Sequence, residues 1–423
     1  MVLSVKARRA VRGAVFLPPS KSYSIRAFLI ASLGGTSYLI HPSLSDDAKV
    51  AMRTAQFLGA QIRRQRNSWT VTAHKNPSRS HQINVQESGT VLRFLLPLLA
   101  AKNRKAKVRG EGTLAGRPNK HLLESLRKNG VRIFGQGSQE TVPIVIKGGL
   151  LKGGHMAVDA SLSSQFISAL LIAAPLLPAD TRLAITSQDV VSETYITMTQ
   201  QILKKAGIRI KKINRRSYFI KGRQRFKGLS RFCVPSDYGL AAFFLAAGAL
   251  LPSDITLKGF LGDQFVQADG KILLFLKKLG VTFEKTQKQL RLKGPFRLKG
   301  GVFSLKDCPD LVPIMAVLAL FAQGRTRLYG IGHARLKESD RISDLKKELL
   351  KVGADLREKR DELIIHPRST YKQNVILDPH QDHRLAMAFS ILGLKLGAKI
   401  KDIECTRKSY PNFVSDLRRI SGI

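Results

Sequence analysis

A chain of 423 residues with 71 Lys and Arg against 30 Asp and Glu carries 41 excess positive charges, so anions are its expected partners: nucleic acid, acidic lipid or phosphorylated metabolites. Apolar residues make up 43%, which excludes a disordered chain, and the length predicts two domains. Cys233, Cys308 and Cys405 show no C-x-x-C spacing, which excludes a zinc finger or disulfide framework and predicts reduced thiols in a cytoplasmic compartment.

The N-terminal "MVLSVKARRAVRGAVFLPPSKS" is basic and acid-free, superficially like a transit peptide, but it lacks an apolar h-region. Beyond it one unit recurs. "FLGAQI" places Gly59, "LRKNGVRI" Gly130, "LKKAGIRI" Gly207, "LKKLGVTF" Gly280, "LLKVGADL" Gly353 and "LRRISGI" Gly422, at intervals of 69 to 77 residues. Each glycine reads as a helix C′ residue in the left-handed region. The first five lead into strand–turn–strand patterns.

Earlier in each unit comes a helix without a polar face, which must be buried. In chain order these are "IRAFLIASL", "VLRFLLPLLAA", "FISALLIAAPLL", "GLAAFFLAAGALL", "PIMAVLALFA" and "LAMAFSILGLKL". The longest apolar runs, about 10 to 16 residues with Pro, Gly or polar interruptions, are short for a bilayer span. Each unit reads strand, buried helix, strand, amphipathic helix, strand, strand. The expected fold is therefore α/β, with two similar domains of three units each.

The N-termini of the buried helices are natural anion sites. "PPSKSYSIR" supplies Lys21, Ser22 and Arg26 at the first, Lys21 as a point charge and Ser22 as cap or donor. "ESGTVLRF" places Gly89 and Thr90 at the second, and "SLSSQF" Ser163, Ser164 and Gln165 at the third. "CPDLVPIMAV" puts Asp310 before the fifth, as N-cap or base. "HARLKESDRISD" sets Glu338 and Asp340 among Arg335, Lys337 and Arg341; by itself it fits a solvated helix face with ion pairs. "DPHQDHRLAMAF" carries Asp378, His380, Asp382, His383 and Arg384. The i,i+3 histidines suggest a metal, but Arg384 beside them would repel a divalent ion.

Together, "SKSYSIR", "SGTVLRF", "SSQFISALL", "CPDLVPIMA", "RLKESDR", "QDHRLAMAF" and "CTRKSYPNF", in that order over residues 20–413, resemble the 5-enolpyruvylshikimate-3-phosphate synthase family. The resemblance implies two domains, 19–235 and 1–18 plus 236–423, each of three βαβαββ repeats around buried parallel helices (the enolpyruvyl transferase "inside-out barrel"). The active site would lie in the cleft between them, with chain crossings near Pro18–Pro19 and Pro235–Ser236.

It also implies the reaction: the 5-hydroxyl of shikimate 3-phosphate attacks C2 of phosphoenolpyruvate, C3 is protonated, and phosphate leaves. The family match assigns catalysis to Lys21, Asp310 and Glu338. Shikimate 3-phosphate would be bound by Lys21, Ser22, Arg26, Ser163, Ser164, Gln165, Ser192, Tyr195, Asp310 and Lys337. Phosphoenolpyruvate would be bound by Lys21, Gly89, Arg117, Gln165, Arg341, Arg384 and Lys408. The resemblance implies no cofactor, no metal, no membrane and no specific nucleic acid, and a monomer. Glu87 and His333 stand where Asn is frequent, and Phe94 where Pro is. The related UDP-N-acetylglucosamine enolpyruvyl transferases usually carry a reactive Cys near the residue matching Arg117; "EGTLAGRPN" has none. The charge leaves a rival from another class, a basic nucleic-acid-binding protein on the same fold.

Overall fold

The structure, a computed structural model, describes residues 1–74 and 78–422. The chain divides into two compact units: Met1–Pro19 with Pro235–Ile423 (unit 1), and Ser20–Val234 (unit 2).

The six apolar segments form helices α1 (Lys21–Ala31), α2 (Gly89–Ala101), α3 (Gln165–Ala173), α4 (Tyr238–Leu250), α5 (Val312–Leu320) and α6 (His383–Leu396). Every residue of α4 and α5 is buried. With no polar face to turn to water, these helices can only be cores. Five of them carry no acid in the first turn and no base in the last. The polar groups gather instead in the loops that lead into them.

Each complete repeat folds into a four-stranded sheet with one topology. In the second repeat, Gln82–Asn84 runs parallel to Ala106–Arg109 after the α2 crossover. The hairpin Arg132–Gln136 and Thr141–Gly148 follows, and its second arm pairs antiparallel with Ala106–Arg109. The outer helix of each repeat ends at its glycine: Gly59, Gly130, Gly207, Gly280, Gly353 and Gly422 all have positive φ. The sixth sheet has three strands, Leu3–Val5, Ala398–Ile400 and Val375–Leu377.

Two strands do not follow the local strand–helix–strand pattern of the repeat. The strand that leads into α1, Val11–Phe16, pairs not with the strand after α1 but with Ser253–Lys258 in unit 1. Reciprocally, Arg231–Cys233, which leads into α4, pairs with Thr36–Ile40 in unit 2. Two repeats therefore take their first strand from a distant part of the chain. Local pattern cannot reveal this, because either pairing presents the same alternation of buried side chains.

Unit 2 is closed where the segment before Arg231–Cys233 lies against the start of Thr36–Ile40. There a Cβ at Gly34 would meet the Phe226 carbonyl at 2.4 Å, one at Gly35 the Lys227 carbonyl at 2.2 Å, and one at Gly228 the Thr36 carbonyl at 2.4 Å. Gly35 and Gly228 also have φ of +66° and +84°. Two backbones pass too close for side chains, and Ser37 Oγ accepts the Leu229 N–H at 2.8 Å beside them. Gly35→Ala should therefore destabilise unit 2 by at least ~2 kcal/mol, read as an earlier urea midpoint; an unchanged midpoint would refute the closure.

Candidate active site

In unit 2 the starts of α1, α2 and α3 are tied together by buried polar side chains. Arg26, 1% exposed, donates from Nε to Thr199 Oγ1 at 2.8 Å and from Nη1 to the Ser22 carbonyl at 3.0 Å. Its Nη2 donates to the Tyr195 carbonyl at 3.3 Å. The guanidinium lies 5.1 Å from the Phe94 ring centroid and 5.9 Å from that of Tyr195. None of these partners carries charge. Burial pushes the Arg26 pKa down to about 10, partly offset by Tyr195 and Tyr23, so the group remains a cation at neutral pH. A buried cation held by neutral groups favours a nearby ligand anion.

Arg93 links the other two helices. Its Nη1 donates to Gln165 Oε1 at 2.7 Å and Ser163 Oγ at 3.4 Å, and its Nη2 to the Pro118 carbonyl at 3.1 Å. Gln165 Nε2 in turn donates to Thr90 Oγ1 at 2.9 Å. Both ends of the Gln165 amide are thereby oriented. Arg93 was not singled out from sequence, although a lone Arg in "VLRFLLPLL" was a signal: a charge inside a buried helix must be bonded.

The other residues expected at this end are here too. Lys21 Nζ pairs with Asp47 Oδ2 at 3.0 Å. Gly89 opens α2 against Arg117, where an added Cβ would meet Nη1 at 3.2 Å. Ser163 Oγ accepts the Gln165 N–H at 3.2 Å, and Ser164 is buried at the helix N-cap. Ser192, buried with φ of +56°, has a hydroxyl that meets no hydrogen-bond partner among the described residues. One reading is corrected: Ser22 is not the cap of α1, since Ser20 occupies that position and Ser22 lies inside the first turn.

Unit 1 also centres on a buried guanidinium, but here its partners are acids. The centre is Arg341, fully buried, which donates to three carboxylates: Asp382 Oδ2 at 2.8 Å, Asp310 Oδ1 at 2.8 Å and Glu338 Oε2 at 2.9 Å. Asp382 also caps α6 by accepting the Arg384 N–H at 2.8 Å. Arg384 Nη2 reaches Asp310 Oδ2 at 3.0 Å, and Lys408 Nζ lies 3.8 Å from Glu338 Oε1. Glu338 thus stands within a cage of bases, not on a solvated helix face. Asp310 is not an N-cap either; Leu311 takes that position. Arg335, by contrast, braces the loop by donating to Asp340 and Ser343.

Burial would raise the Asp310 pKa, but Arg384, Arg341 and Lys337 override it and hold the carboxyl well below the usual range. Burial likewise works against the Arg341 charge, and Asp382, Asp310 and Glu338 outweigh it. Asp269, missed in the sequence, is buried nearby; burial first and the Asp310 charge second push it up to about 7. Its Oδ2 and Arg384 Nη1 would lie 2.5 and 3.0 Å from a Cβ at Gly239, so that glycine leaves them room at the start of α4.

Glu338, Asp382 and His383 place ligand atoms within 4.8 Å of one another. This shares Asp382 and His383 with the Asp378–His383 cluster weighed from sequence, whereas His380 instead faces Glu348 Oε1 at 3.4 Å. Arg341 already donates to two of the three, and its charge opposes a divalent cation there.

The departures at Glu87, Phe94 and His333 are built into the site. Glu87 Oε2 accepts from Thr113 Oγ1 at 3.1 Å, and that oxygen accepts from Arg117 Nη2 at 3.4 Å. Phe94 lies under Arg26. His333 is buried, and burial, then Lys337, push its pKa down to about 3, so its imidazole is neutral.

Residues 5–417 match the family model described as EPSP synthase (3-phosphoshikimate 1-carboxyvinyltransferase). The chain belongs to the EPSP synthase family. It is 34% identical to the 3-phosphoshikimate 1-carboxyvinyltransferase of Methanococcus aeolicus, over 100% of this chain and 99% of that one. With that of Methanocaldococcus jannaschii it shares 35% identity over 100% and 98%. The fold is that of an EPSP synthase from Acinetobacter baumannii (TM-score 0.80, 24% identity, 99% of this chain and 98% of that one). It is also that of the enolpyruvyl transferase NikO from Streptomyces tendae (TM-score 0.76, 16% identity, 99% and 97%). Among the described residues no helix is long and apolar enough to cross a membrane.

A carboxyl whose folded pKa lies above its unfolded value of ~3.9 stabilises the fold below that value and loses this contribution as pH rises through its folded pKa. With Asp269 at about 7, the thermal midpoint of unit 1 should fall between pH 5 and pH 8. In Asp269→Asn the fall should be smaller; equal slopes in calorimetry would rule out the raised pKa.

Proposed function

We propose that the chain transfers the enolpyruvyl group from phosphoenolpyruvate to the 5-hydroxyl of shikimate 3-phosphate, releasing phosphate, the shikimate-pathway step towards chorismate and the aromatic amino acids. The observation that carries this reading is Arg341 bound to Asp310 and Glu338 at once: an anion-binding group joined to both a base and an acid.

The two charge sets suit the two substrates. Lys21, Ser22, Arg26, Ser163, Ser164, Gln165, Ser192 and Tyr195 would hold shikimate 3-phosphate, with Asp310 and Lys337 at its hydroxyls. Arg117, Arg341, Arg384 and Lys408, with Lys21, Gln165 and the open backbone at Gly89, would hold phosphoenolpyruvate.

Arg341 and Arg384 keep Asp310 ionised but weakly basic. Carboxylate or phosphate oxygens of the substrate compete for the same N–H groups. As they take them, Asp310 loses its compensating charge and becomes a stronger base for the 5-hydroxyl proton. The hydroxyl oxygen bonds to C2 while C3 takes a proton from Glu338. Phosphate then leaves C2, and the proton returns from the C3 methyl group to Glu338, regenerating the double bond. Lys21 offsets the negative charge that accumulates on the oxygens. The free thiols at Cys233, Cys308 and Cys405 fit a reducing cytoplasm, and the reading is of a monomer with no cofactor. Nucleic-acid binding as the principal function is not needed to explain either site.

Phosphate release should require both substrates and persist in chelator. Glu338→Gln should lower kcat by roughly 10²- to 10⁴-fold while changing either KM far less. Release independent of shikimate 3-phosphate would refute the proposed reaction, and equal losses in kcat and binding would refute the role of Glu338.

A further inference from the structure

Two small substrates account for only a few of the 41 excess positive charges. The second sheet of unit 2, formed by Gln82–Asn84, Ala106–Arg109, Thr141–Gly148 and Arg132–Gln136, concentrates part of the remainder. One face is core: Val108, Ile133, Ile144 and Ile146 are buried. The alternate residues face solvent and include Lys107, Arg109, Arg132 and Lys147, with no Asp or Glu among them.

His81 and Lys105 extend this face at its edge, where His81 Nδ1 lies 3.2 Å from the Lys105 carbonyl. Together with Lys107, Val145 and Lys147 they line a shallow groove of about 390 Å³. Ala106 pairs with Ile146, so Lys105 and Lys147 stand one step beyond that pair, on opposing strands. Like charges so placed repel, and a bound polyanion relieves the repulsion. Phe134 pairs in register with Val145 and is 47% exposed; Lys147 Nζ lies 5.4 Å from its ring centroid.

We propose that this face is a binding surface for single-stranded RNA. Lysines and arginines along the strands would follow the phosphates, and the Phe134 ring offers a stacking platform for one base. A duplex would offer that ring no free base face. The amides of Gln82 and Gln136 on the same side can bond a 2′-hydroxyl, which DNA lacks. None of these residues has a role in enolpyruvyl transfer, so the surface would be a second function.

The test is fluorescence anisotropy of a labelled oligouridylate with the full chain across a salt series. The triple variant Lys105→Gln, Lys107→Gln, Lys147→Gln should reduce the slope of log affinity against log salt by about 2, as expected for three lost phosphate contacts to a single strand. Phe134→Ala should weaken binding by roughly 5- to 100-fold with the slope unchanged. Thermal midpoints equal to the parent's confirm that both variants are folded. Affinity of the triple variant within twofold of the parent would overturn the proposal, because binding would then be spread over the whole basic surface. Equally tight binding of a DNA oligonucleotide or an RNA duplex would overturn the assignment to single-stranded RNA.

Discussion

One buried guanidinium organises the chemistry of unit 1. Arg341 is wholly removed from water, and three carboxylates from three chain segments close around it. A lone buried charge would be intolerable, so Arg341 and Asp310 each hold their charge because the other is present. The arrangement is stable without ligand yet easily disturbed by one, since an arriving anion competes for the same N–H groups. Binding and acid–base chemistry are thereby coupled through a single side chain.

Unit 2 meets the complementary need. Its buried cations, Arg26 and Arg93, are held by hydroxyls, amides, carbonyls and aromatic faces. Arg26, whose partners are all neutral, can therefore offer its charge to a ligand. In both units several of these groups sit in the first turns of the buried helices or just before them, so much of the core and the site are opposite ends of the same elements. That economy accounts for the crowding at two glycines: a Cβ at Gly239 would collide with Asp269, and one at Gly89 would press on the Arg117 guanidinium.

The sequence showed the repeat, the six buried helices and most of the polar residues at their starts, because periodicity and helix-terminus chemistry are local. It did not show that Asp382 is shared between a helix cap and Arg341, or that Asp269 reaches the Asp310 cluster. Glu338 illustrates the limit. Its i,i+3 spacing to Arg341 fits a weak surface ion pair, and only burial by Asp310, Asp382 and Lys408 makes it part of a reactive cage.

By itself the sequence determined the α/β class, the repeat of about 70 residues, the burial of six helices and, through its motifs, the family. Short-range pattern suffices for these, since each depends on neighbours within one or two turns. Only the tertiary structure decided which strands Val11–Phe16 and Arg231–Cys233 pair with, and in what register. It alone decided which charges are compensated within the protein and which are not. Strand partners and pKa values depend on groups brought together from hundreds of residues apart, and a linear pattern carries no record of those distances.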